Sequence, residues 1–246
     1  GCRLVSAKAV VKKIANNAFR TLKTVHNQVD FCSNDYLGFA QNAVLKKCID
    51  DDILINKQIG ATGSRLLTGN NELIEAVERQ IAHFHQAETA LIFNSGYAAN
   101  VGIFPTLARK NDYILFDELS HASTRDGIRL SKAQSLDFQH NSLTHLEHCL
   151  NQIKPTLKGN IYIAIESLYS MNGDFAPLKD MVALAEKYNA NLIVDEAHAT
   201  GVIGKNGAGL VAHLGLQNRI LVRIHTFGKA LGNEGAVIVG SQILRD

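Results

Sequence analysis

Tryptophan is absent from the 246 residues, and proline (3), methionine (2) and cysteine (4) are scarce. So few prolines leave long stretches without the residue that ends helices and interrupts central strands. Cys2, Cys32, Cys48 and Cys149 are far apart and form no Cys-x-x-Cys pair. That spacing argues against a disulfide framework and for free thiols in a reducing, cytoplasmic setting. No apolar run reaches the roughly 20 residues of a membrane-spanning helix. Charge of one sign is lacking too: 25 basic against 23 acidic residues give a net +2 with no basic run. Nothing electrostatic therefore points to nucleic acid or an anionic membrane. The chain shows no clear signal peptide and no initiator Met, so a processed or cut start is expected. A hydrophobic content of 46% suits a substantial core, in one large domain or two small ones.

What is present is a rhythm. Ala7 to Lys23 is loosely helical, and Phe31 to Gly38 is a turn-rich entry to the main domain. Val44 to Lys57 and Asn71 to His85 read as amphipathic helices, separated by the small-residue loop Gly60-Ala61-Thr62-Gly63-Ser64-Arg65. From Thr89 onward, short apolar runs alternate with helical segments. Strands are expected at Thr89–Phe93, Tyr113–Phe116, Gln134–Phe138, Asn160–Glu166, Leu192–Asp195, Ile220–Thr226 and Ala236–Gly240. Helices are expected at Gly96–Ala108, His121–Ser131, Leu143–Gln152 and Leu178–Tyr188. This alternation predicts an α/β fold: a mostly parallel seven-stranded sheet with helices on both faces. Residues 1–35 read as an N-terminal arm and helix, and 36–246 as one large domain. The chain contains no internal repeat or low-complexity tract.

Chemistry-bearing residues fall at the expected strand ends. Lys229, in the Gly-rich loop after Ile220–Thr226, is held where open α/β folds bind ligands. Asp195 ends another strand. A lysine amine and a strand-end carboxylate are the two groups that a pyridoxal phosphate (PLP) site needs most. Ser95 and Gly96, before a helix, can offer backbone N–H groups to a phosphate; they also suit a plain N-cap. An imidazole at His121 can stack on a flat ring or simply lie at the surface. Ser170 can bond a cofactor substituent or belong to an ordinary turn at Asn172-Gly173. His198 can donate to a ring's phenolic oxygen. Asp195-Glu196-Ala197-His198 also spells a helicase box, but that reading requires a G-x-x-x-x-G-K-[ST] loop, and the sequence has none. His83 and His85 point to different sides of a helix. His145 and His148 share a face without an acidic or cysteine partner, so no metal site is expected.

The ordered words Ser33-Asn34-Asp35-Tyr36-Leu37-Gly38, Gly60 to Arg65, Asn94-Ser95-Gly96-Tyr97-Ala98-Ala99-Asn100, Leu119 to Ser123, Glu166 to Asp174, Val194 to Gly201 and Thr226-Phe227-Gly228-Lys229 cover nearly the whole chain. In them the sequence resembles the α-oxoamine synthases, PLP-dependent fold-type I enzymes that condense an amino acid with an acyl thioester and lose CO2. The resemblance implies a PLP-binding large domain in which Lys229 carries the cofactor and moves the substrate's Cα proton. It implies that Asp195 pairs with the ring nitrogen, that His121 stacks over the ring, and that His198 and Ser170 lie at its phenolic oxygen. Ser95, Gly96, Tyr97 and Thr226 are implied around the phosphate or ring, and Asn34 and Arg20 near the substrate. The Asn34–Gly38 wording and the run from His121 to Ser131 favour the member that joins L-alanine to a pimeloyl thioester, on CoA or a carrier protein. Sister enzymes use glycine or serine with other acyl-CoAs. The resemblance further implies a homodimer with active sites at the interface, Gly60 to Thr68 serving the neighbour. It also implies a C-terminal small domain, bearing an arginine for the amino acid's carboxylate, that is absent from this sequence. Gly232-Asn233-Glu234-Gly235 is less glycine-rich than the family's wording. A fold-type I aminotransferase or lyase, and a catalytically silent large-domain fragment, remain as other readings.

Overall fold

The computed structural model describes residues 10–16, 19, 21–22, 24, 28–56 and 60–246. The chain forms two compact units, Gly1–Ser33 and Asn34–Asp246. In the first, residues 10–15 are helical (α1); much of the rest of the expected Ala7–Lys23 helix lies outside the described residues. The second unit runs α2 (Ala43–Asn56), α3 (Glu72–Phe84), β1 (Thr89–Phe93), α4 (Gly96–Leu107), β2 (Tyr113–Asp117), α5 (Ala122–Leu130), β3 (Gln134–Phe138), α6 (Leu143–Ile153), β4 (Ile161–Glu166), α7 (Leu178–Lys187), β5 (Ala190–Asp195), α8 (Leu210–His213), β6 (Val222–Thr226), β7 (Ala236–Gly240) and α9 (Gln242–Arg245).

The expected strands build one seven-stranded sheet in the order β1-β7-β6-β5-β4-β2-β3. β7 runs antiparallel to both its neighbours, and the other adjacent pairs are parallel. Side-chain alternation divides the core between the two faces. Ile161, Ile163 and Ile165 of β4, with Leu192 and Val194 of β5, pack against α6 and α7. Tyr162, Ala164 and Ile193 point the other way, onto α4 and α5. β4 lies inside the sheet and all six of its residues are buried. β3, at the edge, buries only Phe138.

Helix starts follow their capping residues. Asn71 accepts from the Ile74 amide at 2.8 Å, with Glu72 and Glu75 in the first turn of α3. α4 and α5 approach closely because Gly127 has no side chain: a Cβ there would lie 2.4 Å from the Asn100 carbonyl oxygen. That contact fixes the two helices whose N-termini flank the site.

Candidate functional site at the C-terminal strand ends

β1, β2, β4, β5 and β6 all point their C-terminal ends to one edge of the sheet. A cavity of about 160 Å³ opens there. Of the residues expected from sequence, Gly96, Tyr97, His121, Asp195, His198, Thr226 and Lys229 line it. Asn100, Ser123, Glu166 and Ala197 complete the lining. A more apolar cavity of about 180 Å³ lies among α4, β1, β7 and α9. Its ionisable lining residue, Arg245, is paired with Glu78 at 2.9 Å, and no set of titratable groups converges on it.

Lys229 sits in the loop between β6 and β7. That loop is closed by backbone bonds from Phe227 N to Gly235 O and from Asn233 N to Phe227 O, both 2.9 Å. Lys229 Nζ lies 2.8 Å from His198 Nε2, and His198 Nδ1 lies 2.8 Å from the Tyr36 hydroxyl. Tyr36 in turn donates to Asn34 Oδ1 at 3.0 Å. Because the phenol's proton goes to Asn34, its oxygen accepts from His198 Nδ1–H, and Nε2 is left as the acceptor for the lysine amine. Burial first, and then the Lys229 charge, push the His198 pKa down to about 4, so the imidazole is neutral. Burial also lowers the Lys229 pKa, against the opposing pull of Asp195 and Glu166. A lysine shifted toward its neutral amine is a nucleophile and a base.

Asp195 is held at both oxygens: Oδ1 accepts from the Ala197 amide and Oδ2 from Asn100 Nδ2, each at 2.9 Å. Asn100, almost fully buried in α4, accepts in turn from Thr124 Oγ1 at 3.3 Å. Glu166 stands opposite Asp195 in the β4–β5 register. Its Oε1 accepts from the His121 amide at 2.8 Å. Burial, reinforced by the Asp195 charge, raises the Glu166 pKa.

The remaining expected residues divide. His121 caps α5, with Nδ1 2.7 Å from Ser123 Oγ. Ser95 Oγ accepts from the Ala98 amide at 3.1 Å as the N-cap of α4, which leaves the helix's first backbone amides to face an anion. Thr226 donates to Gly235 O at 3.2 Å, and the Tyr97 hydroxyl donates to Asp126 at 2.8 Å. Ser170 is exposed in a turn outside the cavity lining. Asn34 reaches the cavity through Tyr36 and His198. Arg20 lies outside the described residues. The unassigned residues that the structure adds are Asn100, Ser123, Glu166 and Tyr36. Asn100 left a readable signal, a lone amide on the apolar helix α4. The others depend on register and packing.

The amine, the fixed carboxylate, the helix N-terminus and the small cavity between them fit a flat, anionic, carbonyl-bearing cofactor with a basic ring nitrogen. The model of the aminotransferase class I and II family matches residues 26–246. The chain belongs to that family. The 8-amino-7-oxononanoate synthase of Emericella nidulans is 42% identical over 234 residues, 89% of this chain and 57% of that protein. Among solved structures, serine palmitoyltransferase from S. paucimobilis with a bound PLP–myriocin aldimine matches at a TM-score of 0.83 and 30% identity, over 96% of this chain and 62% of that one. The 8-amino-7-oxononanoate synthase of Francisella tularensis matches at 0.72 and 29%, over 89% and 60%. By sequence and by structure this aminotransferase-family chain is thus similar to 8-amino-7-oxononanoate synthases and serine palmitoyltransferases. It spans about three-fifths of the length of the curated relatives it matches.

Proposed function

We propose that the cavity binds PLP and that the protein is an acyltransferase of the α-oxoamine synthase type. The reaction joins L-alanine to a pimeloyl thioester and yields 8-amino-7-oxononanoate, the free thiol and CO2. The observation that carries this reading is one cavity holding the Lys229 amine, the doubly bonded Asp195 carboxylate and the N-terminus of α4. PLP, when bound, supplies an electron sink for the carbanion at the amino acid's Cα. Lys229 holds the cofactor and, once free, takes and returns the Cα proton. Asp195, held at both oxygens by Asn100 and the Ala197 amide, would pair with the ring nitrogen. The first amides of α4 would bind the phosphate beside Thr226, and His121 would cover one ring face. His198, neutral, orients the amine through Nε2.

A second reading is PLP binding without condensation. No arginine is among the described residues that line the cavity. We take the working form to be a cytoplasmic homodimer. Leu66 and Leu67, 95% and 83% exposed, stand on the loop after Gly60, which Arg65 ties to the buried Glu78. Among the described residues, no helix is long and apolar enough to cross a membrane.

Borohydride reduction with PLP, followed by peptide mapping, tests the cofactor assignment: the label is expected on Lys229, and a label elsewhere rejects it. Release of CO2 from alanine with pimeloyl-CoA supports condensation. Labelling of Lys229 without CO2 favours the second reading.

A further inference from the structure

A histidine outside the cavity ties two strand-end segments together. His140 follows β3, and its Nδ1 lies 2.9 Å from Oδ1 of Asp117, the last residue of β2. Its Nε2 lies 2.9 Å from Oδ2 of Asp174, in the loop that leaves β4. Asp117 is completely buried, and the His140 side chain is 16% exposed. Asp117 also accepts from the amides of Leu119 and Asn141. The Asn141 side chain reaches the same loop, donating to Phe175 O at 3.2 Å and to Asp174 Oδ2 at 3.3 Å. Asn141 Nδ2 also lies 3.3 Å from His140 Nε2, a longer contact than either carboxylate makes.

A neutral imidazole has one N–H and one bare nitrogen, whereas ionised carboxylates only accept. Facing Asp117 and Asp174 together, only the imidazolium donates at both ends. The other ionisable groups around it are Glu118, whose carboxylate accepts from the His140 amide at 2.9 Å, and Tyr169, whose ring meets the imidazole edge-on at 4.5 Å. Burial opposes the charge, but the hydrogen bonds to Asp117 and Asp174 outweigh it, and the His140 pKa is raised.

The loop that His140 holds leads to the cavity. It closes on itself through Tyr169 N to Asp174 O and Gly173 N to Tyr169 O, both 2.9 Å. The Tyr169 hydroxyl accepts from the Glu166 amide at 3.3 Å, and Glu166 accepts from the His121 amide at 2.8 Å. We propose that His140 is a positioning residue: as an imidazolium it pins residues 167–175 to the end of β2 and so fixes Glu166 and His121 at the cavity wall. Only the consequence for PLP rests on the function proposed above.

The pinning is read without cofactor. Amide hydrogen exchange of the full chain, corrected for intrinsic rates, is followed from about pH 6 to 9, a range set by a histidine titration. Protection at Tyr169 and Gly173 is expected to fall as the pH rises through the raised His140 pKa. His140→Gln and Asp174→Asn should each remove that step and lower protection at both amides about tenfold, the scale of one charged hydrogen bond. Ile163 and Leu192, in the sheet, should not change. A pH step that survives in His140→Gln, or an equal loss at Ile163, overturns the proposal. Titration with PLP reads the consequence: His140→Gln should weaken uptake about three- to tenfold, at most the effect of losing one such bond. If the wild-type chain takes up no PLP, the function proposed above fails while the exchange result stands. If both chains bind PLP equally, the link from His140 to the cavity is overturned.

Discussion

Asp195–Glu196 at the end of β5 and His225–Thr226 at the end of β6 put ionisable and polar groups on two sides of the same sheet. Asp195 and Thr226 line the cavity. Glu196 and His225 face away from it and are completely buried. There the packing is closed. Glu196 accepts from the amides of Leu210 and Val211 at 2.8 and 3.1 Å. His225 lies 2.8 Å from Thr200 Oγ1 and stacks on His85 at 3.7 Å. Arg223, two residues before His225 and so on the same face, donates to the His85 carbonyl at 2.6 Å. Gly209, at φ 103°, brings backbone directly over the carboxylate: a Cβ there would lie 2.4 Å from Glu196 Oε2. Burial raises the Glu196 pKa to about 7 and lowers those of His85 to about 4 and Arg223 to about 10. Ionisation is thus perturbed on both sides. What separates a site from a plug at these strand ends is that Asp195 and Thr226 line open volume, whereas Glu196 and His225 are enclosed by packed backbone and side chains.

The contrast is broken most completely at Lys229. Lys229→Ala should abolish borohydride-fixed PLP while holding or raising the thermal unfolding midpoint, because a desolvated amine is removed. On the closed side the effect should reverse. Glu196→Ala strips two buried amides of their acceptor and should cost about 2–4 kcal/mol in urea unfolding, with PLP uptake retained. Glu196→Gln sharpens the point through pH. The folded pKa of Glu196, about 7, lies above its ordinary 4.5, so its stabilising contribution is complete below about pH 4.5 and lost as the pH rises through about 7. Urea midpoints across that window should fall in the wild type and run flatter in Glu196→Gln, by about 1–3 kcal/mol. The smallest effect is expected from Ser95→Ala. Losing this cap should cost about 1 kcal/mol of stability yet leave PLP fixation intact, since the anion contact belongs to backbone amides.

The strands were legible because most are short apolar runs and the others, β3 and β6, alternate apolar and polar residues, patterns that need no partner to be read. Their order was not: β7 slips antiparallel between β1 and β6, a pairing that no local window encodes. α8 and α9, four residues each, are too short to show a helical period. Asp195 stood out because it ends a strand, and Lys229 and His121 because they lie in the loops just after strands. Glu166 also ends a strand, but its meaning lies in the register that sets it opposite Asp195. Ser95 could be read as a cap or as an anion cradle from sequence. In the fold its side chain is the cap, and only the helix amides remain for an anion.

The antiparallel placement of β7 also has a consequence in time. The lysine loop joins two strands that are neighbours in both chain and sheet, with nine residues (227–235) between them. Such a hairpin closes locally and within microseconds. Asp195 and Thr226 are brought together by the parallel β5–β6 pair, which spans a longer crossover and closes a larger loop. During folding the turn that bears the amine can therefore form before the carboxylate arrives, so the two halves of the chemistry are assembled by steps of different contact order.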